Sequence, residues 1–61
     1  MQSIKLYFAD GDNTDTRVNG TDEEIVNHYE ENNFLEKDSS KRVIYIGFYD
    51  TGKIIKLSRG R

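Results

Sequence analysis

The chain has 61 residues, which is close to the lower size limit for a domain that folds around one apolar core without cross-links. It contains no cysteine, which excludes disulfides and thiolate zinc sites, and its longest apolar run is too short to cross a bilayer. Nine basic and eleven acidic residues give a formal net charge of −2, and the amino terminus lacks the pattern of a signal peptide. We therefore expect one cytoplasmic domain over residues 1–61.

The first segment, residues 2–9, predicts a strand with two unlike faces. Its apolar side chains fall at every second position, as Ile4, Leu6 and Phe8. Lys5 and Tyr7 lie between them and point the other way, because alternate side chains of a strand lie on opposite faces of the sheet. One face therefore belongs to the core, and the other carries a lysine and a tyrosine.

Residues 10–20 are turn-forming types almost throughout, so we predict a loop there. Its start, Asp-Gly-Asp-Asn-Thr at 10–14, resembles the signature of haloacid-dehalogenase-like phosphatases. The resemblance implies a nucleophile at Asp10 and a general acid at Asp12, beside Mg²⁺. The doubly wound parallel sheet of that family does not fit in 61 residues. We therefore predict no catalytic residues, no cofactor and no enzyme activity.

The same carboxylates also raise the question of a calcium loop. In an EF-hand loop beginning at Asp10, the sixth position needs glycine and the twelfth needs a bidentate glutamate. Those positions are Asp15 and Thr21 here. We predict no dedicated metal site, and cation binding by residues 10–15 stays open.

A helix is predicted to begin at Thr21 and to run to about Asn32. Thr21 and Glu24 fit a capping box, in which each side chain accepts a hydrogen bond from the other residue's backbone N–H. The inner stripe of this helix is predicted to be Ile25, Val26 and Tyr29. The asparagines at 32 and 33 are interpreted as stop signals, after which Phe34 and Leu35 are expected to close one end of the core.

After a polar linker at 36–41, the chain predicts a hairpin with strands at 42–49 and 53–59. The complete expectation is a small α+β domain of order β-α-β-β. It has a three-stranded sheet with one helix packed on one face, and a right-handed crossover through the helix. The sequence does not indicate which later strand lies beside the first.

The register of this hairpin has two alternatives. A three-residue loop would place Phe48 opposite Ile54, and a four-residue loop at 50–53 would place Phe48 opposite Ile55. We prefer the second, because it collects five apolar side chains on one face. Those side chains are Ile44, Ile46, Phe48, Ile55 and Leu57.

Since one helix covers one side of a sheet, we expect the tyrosine-bearing side to remain uncovered. The predicted binding residues on that side are Lys5, Tyr7, Tyr45, Tyr49 and Lys56. Val43, Ile54 and Ser58 are expected nearby, and Gly47 should leave a shallow gap. Tyrosine suits protein interfaces, because it joins an apolar body to a polar tip. Aromatic side chains flanked by lysines also bind single-stranded nucleic acids.

Charge is strongly segregated along the chain. Residues 10–36 contain nine acidic residues and Arg17 as the single basic one, whereas residues 37–61 contain seven basic and two acidic residues. The acidic part could mimic a phosphate array toward a basic partner. The small size and the residue usage are typical of a phage or plasmid accessory protein.

Three functions therefore follow as expectations. The first is binding of another protein, or of a second copy as a homodimer, through the tyrosine-bearing side. A thin core favours such association, because little free energy remains after 61 residues are ordered. The alternative is binding of single-stranded nucleic acid by the same side, and the third is an acidic mimic or inhibitor that uses the carboxylates.

Overall fold

The computed structural model describes residues 1–57, which form one α-helix packed on a four-stranded antiparallel sheet. The elements in chain order are β1 Gln2–Phe8, β2 Asn13–Val18, α1 Asp22–Leu35, a 3₁₀ turn at Ser39–Lys41, β3 Val43–Phe48 and β4 Ile54–Lys56. The strands lie in the order β2-β1-β3-β4, so β1 and β3 are central. In the part of the chain that the structure describes, no helix is long and apolar enough to span a membrane.

The small α+β class is confirmed, but the predictions of three strands and of the order β-α-β-β are wrong. The supposed loop contains β2, which pairs with β1 as an antiparallel hairpin. Within β2, Thr14 and Thr16 lie opposite Leu6 and Ile4, so β-branched side chains alternate along the core side. An edge strand with a polar outer side has the composition of a loop, which is why residues 13–18 escaped prediction.

The turn between β1 and β2 is short, and it uses the residues that resemble the phosphatase signature. The Phe8 amide donates to the Asp12 carbonyl at 2.8 Å, and the Gly11 amide donates to the Phe8 carbonyl at 3.0 Å. Gly11 has φ of +93°, a conformation that glycine adopts without strain. Because this hairpin reverses the chain before α1, β3 runs antiparallel to β1. The predicted crossover from the first strand to β3 is therefore wrong, and α1 instead connects β2 to β3, which run parallel on either side of β1.

The helix begins as predicted, because the capping box at Thr21 is present. The Glu24 amide donates to Thr21 Oγ1 at 3.2 Å, and the Thr21 amide donates to Glu24 Oε1 at 3.0 Å. The end of the helix was predicted wrongly, since α1 continues to Leu35. Asn33 does not stop the helix, because its side chain is buried and bound to the backbone of β3.

The core lies between α1 and the inner side of the sheet. Its buried apolar members are Ile4, Leu6, Ile25, Val43, Ile46, Phe48 and Leu57. Partly buried apolar side chains around it are Phe8, Val18, Val26, Tyr29 and Ile55. Phe34 and Leu35 are 68% and 74% exposed, so their predicted place in the core is wrong. Asn33 takes the inward position instead, because it lies four residues after Tyr29 on the helix stripe.

Val43 and Ile44 exchange the roles that the alternating pattern predicts. The pairing of β1 with β3 shifts between Tyr7 opposite Tyr45 and Phe8 opposite Val43, which leaves one extra residue on β3. This bulge turns Val43 into the core, where it is 5% exposed, while Ile44 is only partly buried. The expectation that Val43 lies near the tyrosines is therefore wrong.

Both predicted registers of the second hairpin are wrong. Ile46 pairs with Ile55, and the Phe48 amide donates to the Lys53 carbonyl at 2.8 Å. The loop consists of residues 49–52, and it closes through Gly52, which has φ of +74° and donates to the Phe48 carbonyl. A glycine that accepts positive φ decides where the loop ends. The predicted continuation of this strand to residue 59, with Ser58, lies outside the described residues.

Candidate binding face of the sheet

The side of the sheet opposite α1 is called the open face here, and within residues 1–57 no other element covers it. It consists of three rows that run across the strands. The rows are Asn13, Tyr7, Tyr45 and Lys56; then Asp15, Lys5, Gly47 and Ile54; then Arg17, Ser3 and Tyr49. The five predicted binding residues all lie on this face. Tyr7 and Lys56 lie on either side of Tyr45, and Lys5 and Tyr49 lie near Tyr7.

Tyr7 and Tyr45 form the centre of the open face. They lie directly opposite each other on the two central strands, with ring centroids 6.4 Å apart and ring planes at 86°. This edge-to-face geometry is favourable for aromatic pairs. The Lys5 ammonium group lies 5.9 Å from the centroid of the Tyr7 ring, within the range of a cation–π contact. The centre therefore holds two mutually oriented rings with a cation beside them.

Tyr49 extends this aromatic cluster toward the edge strand β2. It lies in the loop after β3, where its amide donates to the Ser3 carbonyl at 3.2 Å. Its hydroxyl donates to Asp15 Oδ1 at 2.6 Å, which ties the loop to β2 across β1. That hydrogen bond is the main reason why the pKa of Tyr49 is raised above its ordinary value of 10.0, followed by desolvation and by the charge of Asp15.

A shallow depression lies between Lys5 and Ile54, at the position of Gly47. A Cβ atom on Gly47 would approach Tyr7 Cε2 to 3.7 Å and Ile54 Cγ1 to 4.0 Å, which are ordinary contact distances. Lys5, Tyr7, Tyr49 and Ile54 are among the residues that line the depression. The side chain of Ile54 is 65% exposed at its rim. The open face therefore has a small recess with one aliphatic wall, as the glycine had suggested.

The charges of the open face are mostly positive. Its cations are Lys5, Arg17 and Lys56, and its one carboxylate is Asp15, which accepts the Tyr49 hydroxyl. The ion pair found among residues 1–57 joins Lys53 to Asp22, at 3.9 Å, and involves none of these three cations. Asp15 and Arg17 were not predicted as site residues, because β2 was not recognised as a strand. Their alternation with Thr14, Thr16 and Val18 was the available signal.

The opposite layer of the molecule is negative. Helix α1 carries Asp22, Glu23, Glu24, Glu30 and Glu31, and it contains no lysine or arginine. Acidic side chains in the first helical turn complement the positive end of the helix dipole. The two layers therefore differ in charge, with carboxylates on the helix and cations on the open face, although Lys56 alone of these three cations comes from the basic part of the sequence at 37–61.

The carboxylates of the turn between β1 and β2 accept hydrogen bonds from backbone amides of the same turn. Asp10 Oδ1 accepts from the Asp12 amide at 2.9 Å, and Asp12 Oδ1 accepts from the Asn13 amide at 3.0 Å. Among the described residues, no group of three or more histidine, aspartate or glutamate side chains is placed to hold a metal ion. These two aspartates shape the hairpin turn that aligns β2 with β1.

No known protein family, no curated protein and no solved structure matches this chain.

Proposed function

We propose that this chain is a non-enzymatic interaction module that binds another protein through the open face. The observation that carries the proposal is the cluster of Tyr7, Tyr45 and Tyr49 beside the exposed Ile54. Tyrosines supply a large, amphipathic contact area and are enriched at the energetic centres of protein interfaces. The recess at Gly47 offers a depression that a partner side chain can fill.

A second copy of the chain is a poor occupant for this face. A two-fold dimer places the same patch of both copies in contact. Packed sheet against sheet, two faces that each carry Lys5, Arg17 and Lys56 and are therefore both net positive would meet. One carboxylate per copy, already bound to Tyr49, does not compensate them. We therefore favour a different protein over the homodimer that the thin core had suggested.

Single-stranded nucleic acid is the second candidate, because Tyr7 and Tyr45 lie on the two central strands beside Lys5. Such platforms stack bases on aromatic rings and contact phosphates with lysines. Two features favour protein instead. The rings of Tyr7 and Tyr45 are nearly perpendicular, so they do not offer two parallel stacking surfaces. Asp10 and Asp12 lie in the turn at one end of the face and Asp50 lies in the loop at the other, and these carboxylates oppose a chain of phosphates that runs along the sheet.

The test is capture of a partner by the full chain from a nuclease-treated lysate of its native cell. Two variants remove exposed apolar surface from the open face, Tyr45→Ser and Ile54→Ser. Asn27→Ser is the matched control, since Asn27 is exposed on α1. We expect each face variant to bind one specific protein at least about tenfold more weakly than wild type, which corresponds to about 1.4 kcal/mol of binding free energy. The control should bind that protein as wild type does.

Thermal unfolding of each variant separates lost binding from lost folding. Ile54→Ser should change stability by no more than about 0.5 kcal/mol, because most of the side chain is already in water. A partner retained equally by wild type and both face variants would refute the proposal. If neutralising Glu23, Glu30 and Glu31 released that partner instead, the acidic layer would be the binding surface.

A further inference from the structure

We infer that the partner presents an acidic segment to the open face, with one aliphatic or aromatic side chain for the recess at Gly47. This inference rests on the proposed function and names the chemistry of its partner. Charge complementarity carries it. Three cations on three different strands surround the tyrosines, and the face offers them no carboxylate of its own beyond Asp15.

The positions of the cations define where partner carboxylates would bind. Lys56 on β4 lies directly opposite Tyr45, and Lys5 on β1 lies directly opposite Gly47. Arg17 on β2 lies opposite Ser3, at the other end of the face. The aromatic pair and the recess are thus bordered by positive charge on both sides. An aliphatic or aromatic side chain in the recess would have carboxylate neighbours within reach of Lys5 and Lys56.

Desolvation of the lysines favours an acidic partner over a neutral one. A partner that covers the tyrosines also removes water from Lys5, which is already partly buried. A charge that is buried without an opposite charge or hydrogen-bond acceptor costs several kcal/mol. Lys5 and Lys56 make no ion pair with a carboxylate of residues 1–57 that could compensate them. A partner carboxylate supplies both the opposite charge and the acceptor that these lysines lack.

The surroundings of the face favour a short acidic protein segment over a long polyanion. Asp10 and Asp12 lie in the turn after β1, and Asp50 lies in the loop after β3. Because β1 and β3 are antiparallel, these turns lie at opposite ends of the face. A nucleic acid strand that followed the sheet would meet carboxylates at both ends. A segment that ends within the cationic area avoids them.

The experiment is a selection of short random peptides for binding to the full chain, followed by affinity measurement. Lys5→Glu and Lys56→Glu reverse charges on the open face, and Lys37→Glu makes the same change in the connection after α1. We expect selected peptides to be rich in aspartate and glutamate around an apolar residue. Their affinity should fall at least about tenfold in each face variant and with added salt, and stay unchanged in Lys37→Glu.

The other outcomes separate the inference from the function beneath it. Peptides without excess acidic residues that lose binding in Tyr45→Ser would overturn the acidic chemistry and leave the open face as a binding site. Peptides that bind Tyr45→Ser and Ile54→Ser as well as wild type would overturn both. Single-stranded oligothymidylate that binds more tightly than any selected peptide, and weakens in Tyr7→Ala and Lys56→Ala, would overturn both in favour of nucleic acid.

Discussion

Tyr49 joins the hairpin loop after β3 to the edge strand β2, and one hydrogen bond does this. The phenol hydroxyl donates to Asp15 Oδ1 at 2.6 Å, although both residues are exposed. The contact holds Tyr49 on the open face and uses the one carboxylate of that face. Sequence patterning predicted that Tyr49 lies on this side, but Asp15 escaped prediction with the rest of β2.

The first prediction concerns the ionisation of Tyr49. In Asp15→Asn, we expect the pKa of Tyr49 to fall toward the ordinary value of 10.0, because the hydrogen bond to a charged acceptor raises it in wild type. Titration of each tyrosine by NMR with labelled ring carbons measures this shift. The pKa of Tyr29, which burial raises, should stay the same in the variant and serves as the internal control. An unchanged Tyr49 pKa would contradict the contact.

The raised pKa of Tyr49 also determines the direction in which stability changes with pH. Above pH 10 the unfolded chain loses the Tyr49 proton first, while the folded chain retains it. The unfolded state is then favoured, so this contribution is fully present below pH 10 and is lost as pH rises through the folded pKa. The pH dependence of unfolding should be weaker in Asp15→Asn over that range.

At the scale of elements, Asn33 connects the last turn of α1 to the start of β3. Its Nδ2 donates to the Val43 carbonyl at 2.6 Å, and its Oδ1 accepts from the Val43 amide at 2.8 Å. The side chain is 2% exposed. The side chain thus takes the place of a neighbouring strand, since it satisfies both the amide and the carbonyl of Val43 next to the bulge in β3.

The second prediction follows from this bond pair. Asn33→Ala should lower the free energy of unfolding by at least about 2 kcal/mol, because two buried backbone groups lose their partners at about 1 to 3 kcal/mol each. Urea unfolding followed by circular dichroism measures the change. Asn32→Ala is the matched control, since Asn32 is exposed and its side chain bonds to His28 on the same helix. Equal losses in both variants would disprove the connecting role.

Among the elements, local signals predicted β1, the start of α1 and the existence of the second hairpin. The preferred hairpin register was wrong by two residues, and a two-residue shift keeps every side chain on its face. For that reason Lys56 lies beside Tyr45 on the open face despite the error. The three-residue alternative would have inverted the strand and moved Lys56 into the core side.

On the scale of the whole molecule, charge is divided between two layers. The carboxylates of α1 lie on one side of the sheet, and Lys5, Arg17 and Lys56 lie on the other. The formal net charge of −2 therefore conceals two surfaces of opposite sign. Such a distribution orients an approaching charged partner before contact, and it makes association sensitive to salt.

The third prediction is that the purified chain is a monomer at low micromolar concentration and low salt. Repulsion between like cations disfavours the two-fold pairing of open faces, and this repulsion is least screened at low salt. Sedimentation equilibrium provides the measurement, with Tyr45→Ser as the companion variant. A wild-type dimer that Tyr45→Ser converts to a monomer would show instead that the face binds itself.

The sequence by itself determined the features that depend on neighbours along the chain. The capping box at Thr21 and the alternation that separates Tyr7 from Leu6 act within a few residues, so local pattern was sufficient for them. The tertiary structure decided what depends on distant partners. These features are the conversion of residues 13–18 into an edge strand, the bulge that buries Val43, the inward turn of Asn33 and the meeting of Tyr49 with Asp15. Each requires a hydrogen-bonding or packing partner from another element, and alternation along one strand carries no information about that partner.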